Sequence, residues 1–268
     1  MKLPQGFRSA SIAAGLKSTD ALDLTLIENQ GPHFNAAAVF TTNKVVAAPV
    51  IWSRQVAKGQ IVRAVVLNSG GANACTGPQG FADTHKTAEH VAQLLNVSSG
   101  EVIVCSTGLI GELLPMPKII AGLDSIAPVM DNEGLQTSAQ AIMTTDSVPK
   151  IATANLNGAE FAGIAKGAGM LAPALATMLS VVMTDAVVSD KAQEIFQRAT
   201  DRTYNRIDSD GCTSTNDTVL FMASGASGVV VSDADLEAML MNVCGSLANQ
   251  LIADAEGSTK TVAIKVLN

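Results

Sequence analysis

Aromatic residues make up only 3% of the 268 residues, with a single tryptophan and a single tyrosine. A core drawn from such a chain, 47% of which is hydrophobic, has to be aliphatic and rich in alanine, with small residues allowing close packing. Charge is sparse as well, at 15%, and no basic block is present: 17 Lys and Arg against 24 Asp and Glu leave a net charge of −7. That balance excludes a surface built to neutralise nucleic-acid phosphates. Histidine is limited to His33, His85 and His90, none at a metal-ligand spacing, so a zinc site or a histidine-based triad lacks material. The four cysteines, Cys75, Cys105, Cys212 and Cys244, are far apart and form no CxxC pair. They do not make a disulfide scaffold and are expected as buried thiols in a reducing cytoplasm. Residues 1–6 lack the apolar stretch of a signal peptide. The longest uncharged run, 167–184, is interrupted by Gly167, Gly169, Pro173, Thr177, Ser180 and Thr184, which argues against a membrane span. Its second half, 178–183, reads as a strand buried on both faces. The expectation is a cytoplasmic protein with no metal, no cofactor, no membrane and no nucleic acid among its partners.

What is present is an alternation of apolar runs and helical periodicity. Strands are expected over 22–28, 37–40, 45–52, 61–68, 101–105, 150–156, 161–165, 178–188, 218–223 and 261–267. The clearest helix is entered at Ser232, with Asp235 three residues on as a partial capping box. It places Leu236, Leu240, Val243, Leu247 and Leu251 on one face. Further helices are expected over 81–95, 134–143 and 190–202. Strands and helices mix without a strict βαβ rhythm, which favours a layered α+β fold. Neither an internal repeat nor a low-complexity linker stands out, so residues 1–268 are read as one domain.

One segment is unusual. In KGAGMLAPALATML (166–179) a glycine-rich turn feeds through a proline into an apolar strand that opens on Thr177. If the Ala176–Thr177 bond were cut, Thr177 would carry both a hydroxyl nucleophile and an adjacent α-amine. The ordinary pKa of such an amine, about 7.7–8.0, suits a general base near neutral pH and needs no histidine. Taken locally, the same residue reads as an ordinary strand threonine, and the local sequence favours that reading.

That segment, together with CSTGLIGELLP (105–115), AIMTTD (141–146), NSGGANACTG (68–77), STNDT (214–218) and ADAEG (253–257), resembles the ornithine acetyltransferase family, the glutamate N-acetyltransferases of arginine biosynthesis. The motifs keep the family's order and span the chain from Gly6 onward. The resemblance implies a layered α/β architecture with sheets packed between helices, of the self-processing, N-terminal-nucleophile kind. It implies scission at Ala176–Thr177 into an α chain, 1–176, and a β chain, 177–268, truncated because the family's chains continue further. It also implies ping-pong transfer of an acetyl group from N-acetylornithine to glutamate through Thr177, by αβ units assembled into a homo-oligomer. Whether acetyl-CoA is a second donor stays open.

By the same resemblance Thr107 and Gly108 form the oxyanion hole, and Thr144, Lys166, Thr177 and Glu256 bind substrate, with Thr145 a lesser candidate. Read alone, Thr107 and Gly108 are a strand-ending turn, Lys166 is a lysine at a turn, and Asp254 and Glu256 are acids at a helix end whose dipole favours cations. The glycine-rich 68–77 loop lacks GKS/T and GxGxxG, so it is read as a tight turn in which Asn68 and Asn73 make local hydrogen bonds. No role attaches to any one residue of the 214–217 loop. Two other readings fit the same residues: an N-terminal-nucleophile amidase or aminopeptidase, with water as acceptor, and an incomplete, inactive homologue that only binds or assembles.

Overall fold

The computed structural model describes residues 1–18, 20–172, 178–260 and Val262. Strands β1 (Phe7–Ile12), β2 (Leu24–Asn29), β4 (Ala64–Asn68) and β5 (Val102–Ser106) form one sheet, in the order β1-β2-β4-β5. The second sheet has the order β3-β9-β8-β7-β6. Its strands are β3 (Asn35–Phe40), β6 (Lys150–Leu156), β7 (Ala159–Lys166), β8 (Leu179–Thr184) and β9 (Thr218–Ala223). Among the described residues six α-helices surround them: α1 (Ala48–Ala57), α2 (Gly77–Leu95), α3 (Met116–Ile126), α4 (Leu135–Ala141), α5 (Ala192–Arg202) and α6 (Asp233–Ala253).

Side chains alternate across a strand, and here both sets are apolar. On β4 and β5, Val65, Leu67, Ile103 and Cys105 point towards the other sheet and meet Ala162, Ile164, Leu179, Val181, Met183, Leu220 and Met222. Their alternates, Ala64, Val66, Val102 and Val104, pack on Val91 of α2 and on Ile119 and Leu123 of α3. The outward residues of the second sheet, including Phe161, Val182 and Phe221, meet Phe196 of α5 and Leu240 and Leu247 of α6. Two sheets therefore lie face to face between two helical layers. The expected class, α+β with sheets packed between helices, is what forms.

The two halves repeat one topology that the sequence does not display. β1 and β2 pair antiparallel, β2 and β4 antiparallel, and β4 and β5 parallel. In the second half β6 and β7 pair antiparallel, β7 and β8 antiparallel, and β8 and β9 parallel. Each parallel pair is joined by a helix, α2 or α5, lying on its own sheet's outer face. β3 departs from the pattern by crossing over to pair with β9.

Most expected elements form, with four corrections. The 45–52 strand is instead the helix α1, because Pro49 stands in its first turn and Ser53 bonds the Val104 carbonyl and N–H on β5. β1 was not anticipated; it is an edge strand whose alternation is blurred by Arg8, Ser9 and Ser11. Neither was α3, which starts beside Pro115 and Pro117. Cys105 and Cys244 are buried thiols as expected, but Cys75 and Cys212 are exposed, Cys75 on a turn at positive φ and Cys212 in a polar loop. The expected strand over 261–267 falls outside the described residues apart from Val262, which has no regular structure. No helix among the described residues is long and apolar enough to cross a membrane.

The α6 helix enters as expected, with the Asp235 N–H donating to Ser232 Oγ, and its five expected face residues are buried. It approaches β7 closely at Gly163, where an added Cβ would stand 2.9 Å from both Val243 and Leu247. Gly163→Val is accordingly expected to overpack this layer and lower stability by about 1–3 kcal/mol. A thermal melt no lower than the wild type's would contradict the close approach.

Candidate active site

A cleft of about 710 Å³ opens at one end of the sandwich. Ser69 and Gly70 reach it from the carboxyl end of β4, and Thr107, Gly108 and Leu109 from that of β5. Lys166, Gly169 and Met170 come from the end of β7, Thr144 and Thr145 from the loop after α4, Glu256 from the loop after α6, and Leu16, Lys17 and Ser18 from the β1–β2 connection. The two parallel strands, β4 and β5, thus present their carboxyl ends, where α/β proteins generally build ligand sites.

Thr107 is buried, and its hydroxyl accepts from Lys166 Nζ at 3.2 Å. A hydroxyl that accepts from an ammonium keeps its own O–H for another acceptor. Gly108 next to it has φ +126°, and a Cβ there would stand 2.9 Å from the Gly71 backbone nitrogen. Only glycine lets the turn after β5 sit this close to the 68–77 loop. In that loop Asn73 donates to the Gly80 carbonyl at 2.9 Å and to Thr84 Oγ1 at 3.0 Å, local bonds as expected, whereas Asn68 reaches 38 residues along the chain to Ser106 Oγ on β5 at 2.7 Å.

Lys166 is 1% exposed, and burial pushes its ammonium down to about 8. The carboxylates of Asp146 and Asp217 work against that shift, and the charges of Lys150 and Lys17 add to it. Asp146 is held below the usual carboxylate range. Burial alone would raise it, but Lys166, the hydrogen bond and charge of Lys150, and the Thr144 N–H outweigh that effect. Lys17 is half-buried and donates to the carbonyls of Leu22 at 3.0 Å and Met143 at 2.8 Å. Burial lowers its ammonium against the charges of Asp23 and Asp146. Glu256 stands at the rim, its N–H donating to the Ala168 carbonyl at 2.7 Å.

The cleft therefore gathers Thr107, Gly108, Thr144, Thr145, Lys166 and Glu256, which the sequence scatters over 150 positions. Ala176 and Thr177 lie outside the described residues. Their successor, Met178, donates its N–H to Asp217 Oδ1 at 3.0 Å. Burial pushes the Asp217 carboxyl up to about 7, against the Met178 N–H, the Ser214 and Thr41 hydroxyls, and Lys166. Four charged residues near the cleft, Lys17, Asp146, Lys150 and Asp217, receive no role from the motifs, although Asp146 and Asp217 stand within two of them. For Asp217 the signal is a charge placed directly before an apolar strand, and for Lys150 a charge that opens a strand, in a chain with few charges.

A model of the ArgJ family matches residues 8–268. The chain belongs to that family. An arginine biosynthesis bifunctional protein ArgJ from Thermobifida fusca is 56% identical over 266 residues, covering 98% of this chain and 69% of its own. One from Mycobacterium leprae is 54% identical, covering 98% and 67%. Among solved structures, an ornithine acetyltransferase of Mycobacterium tuberculosis complexed with ornithine matches at 50% identity and TM-score 0.58, over 65% of this chain and 94% of that one. An aminopeptidase of Ochrobactrum anthropi, 11% identical at TM-score 0.53 over 96% of this chain and 87% of its own, shares the fold alone. As a member of the ArgJ family, the chain is an acyltransferase of arginine biosynthesis.

The Asp217 shift has a consequence for folding. Between the ordinary carboxylate range, near 4, and about 7, the folded chain binds a proton at Asp217 that the unfolded chain has lost. This contribution to stability is full at low pH and disappears as pH rises to about 7. Asp217→Asn, neutral throughout, should gain on the wild type in Tm as pH rises from about 4 to 7 and keep a constant lead above it. A Tm difference that does not change with pH would contradict the buried, proton-binding carboxyl.

Proposed function

We propose that this ArgJ-family chain moves an acetyl group from N-acetylornithine to glutamate through an acetyl ester on Thr177, after scission at Ala176–Thr177. The observation that carries the reading is the cleft itself. It brings Thr107, Gly108, Thr144, Lys166 and Glu256 to one place, beside the strand that Thr177 precedes. The ornithine held by the Mycobacterium tuberculosis relative supports an ornithine-type substrate.

In the proposed reaction the Thr177 hydroxyl attacks the acetyl carbonyl and its proton passes to the Thr177 α-amine. The tetrahedral oxyanion is met by the Thr107 O–H and the Gly108 N–H. The C–N bond breaks, and the proton leaves with the amine of ornithine. The amine of glutamate then attacks the ester and restores the threonine. One amide replaces another, so no ATP is consumed. Lys166 pairs with a substrate carboxylate and Glu256 with a substrate ammonium, with Thr144 and Thr145 beside them. Scission uses the same hydroxyl on the Ala176 carbonyl, by an N-to-O shift and hydrolysis.

The two segments stay together in this reading, because β8 and β9 lie between β3 and β7 of the same sheet. They act as one domain, and such αβ units associate into a homo-oligomer.

Product analysis of N-acetylornithine turnover, with and without glutamate, tests the proposal. N-acetylglutamate forming only when glutamate is present supports it. Acetate released at the same rate without glutamate makes the chain an amidase, and no turnover makes it an inactive homologue. Thr107→Val should lower kcat about a hundredfold to a thousandfold. Because Lys166 loses its charge above about 8, kcat/KM should fall as pH rises through that value.

A further inference from the structure

Lys150, the first residue of β6, has a fully buried side chain and does not line the cleft. Its ammonium donates to Asp146 Oδ1 at 2.7 Å, to Asp254 Oδ2 at 2.6 Å and, more weakly, to the Val148 carbonyl at 3.4 Å. An ammonium has three donors, and each has a partner here.

Each carboxylate in turn grips cleft-bearing backbone. Asp146 accepts from the Gly167 N–H at 2.6 Å and the Thr144 N–H at 3.0 Å, one residue on from Lys166 and at the start of the threonine pair. Asp254 caps the end of α6 and accepts from the Ser147 N–H at 3.0 Å and from the Ser147 hydroxyl. Two residues further on, Glu256 closes onto Ala168 through its own N–H at 2.7 Å. Three walls of the cleft, carrying Thr144, Lys166 and Glu256, converge on one buried ammonium.

Packed apolar side chains would hold these segments as firmly, so stability alone does not call for a buried charge. What a lysine between two carboxylates adds is direction, fixing how far apart and at what angle the walls stand. We propose that Lys150 is a positioning residue that sets the spacing between Lys166 and Glu256, and thereby the length of amino-acid substrate the cleft accepts. It acts through Asp146 and Asp254 and touches no substrate. The proposal rests on the cleft being the substrate site of the acetyltransferase reading.

The groups facing Lys166 are Asp146, Asp217, Lys150 and Lys17, and Lys150 is among those that lower its ammonium. Losing the Lys150 charge should therefore move the Lys166 titration upward; water admitted by looser packing would do the same, so Asp254→Asn, which weakens the bridge and keeps the Lys150 charge, serves as the control and should leave that titration in place.

The test compares the full-length wild type with Lys150→Met and with Asp254→Asn, which keeps the Lys150–Asp146 pair if the first variant does not fold. Ornithine binding by calorimetry, steady-state kinetics across pH and the Lys166 titration by NMR are measured on each folded protein. Both variants should bind ornithine about tenfold more weakly and lose about a hundredfold in kcat/KM, the scale of a misplacement near 1 Å. In Lys150→Met the high-pH limb and the Lys166 titration should also move up. Folded variants that bind ornithine as the wild type does would overturn the proposal. If the wild type neither binds ornithine nor transfers acetyl, the function reading fails instead. In that case a Lys166 titration that is unmoved in Lys150→Met, or that rises equally in Asp254→Asn, still overturns the link, and a rise in Lys150→Met alone upholds it.

Discussion

Burial on both faces of both sheets is the constraint from which the rest of this structure follows. Strands such as β4, β5, β8 and β9 have no polar side to offer water, so each sheet needs a cover on each face. The solution is four layers, with the sheets covering one another and helices covering the outside. Alanine, valine and glycine are common and aromatics few, so the layers can come close, as Gly163 does beneath α6. Because the centre of such a sandwich is closed, polar chemistry is confined to its ends. The cleft forms at the end where β4 and β5 finish side by side and where β7 ends.

At that end the chain concentrates its buried charge. Lys150 and Lys166 are almost without solvent, and Asp146 and Asp217 share their surroundings. Charges removed from water persist only where partners are fixed, so the same groups that define the electrostatics of the cleft also fix its backbone. A lysine lowered to about 8 and a carboxyl raised to about 7 are close in proton affinity. Lys166 lines the cleft and Asp217 lies behind it, and a perturbed group set in a cleft is a common mark of a functional site.

Most of the fold was legible in the sequence because both-face burial writes long apolar runs, as over β2, β4, β5, β8 and β9. The failures share a physical cause. α1 carries β-branched residues whose helical state is decided by Pro49 and by contacts with β5, and β1 is an edge strand with serines on it. The duplicated topology was invisible because pairing order is a property of space and leaves no common motif in the two halves. At the site, Thr107, Gly108, Thr144, Lys166 and Glu256 were reached through a resemblance over six motifs, and they gather in one cleft. Lys150 was not reached, since it lies behind the cleft wall and acts through two carboxylates, one of them 104 residues away.

The central claim is that this cleft carries out acyl transfer through a threonine that the chain itself exposes. Intact mass under denaturing conditions, after incubation with N-acetylornithine and no glutamate, tests it most directly. The account predicts two pieces, 1–176 and one beginning at Thr177, with a single acetyl group on the second that disappears when glutamate is added. A chain that stays whole and unacetylated, or a pair of pieces in which the acetyl group never appears on the second, would contradict it.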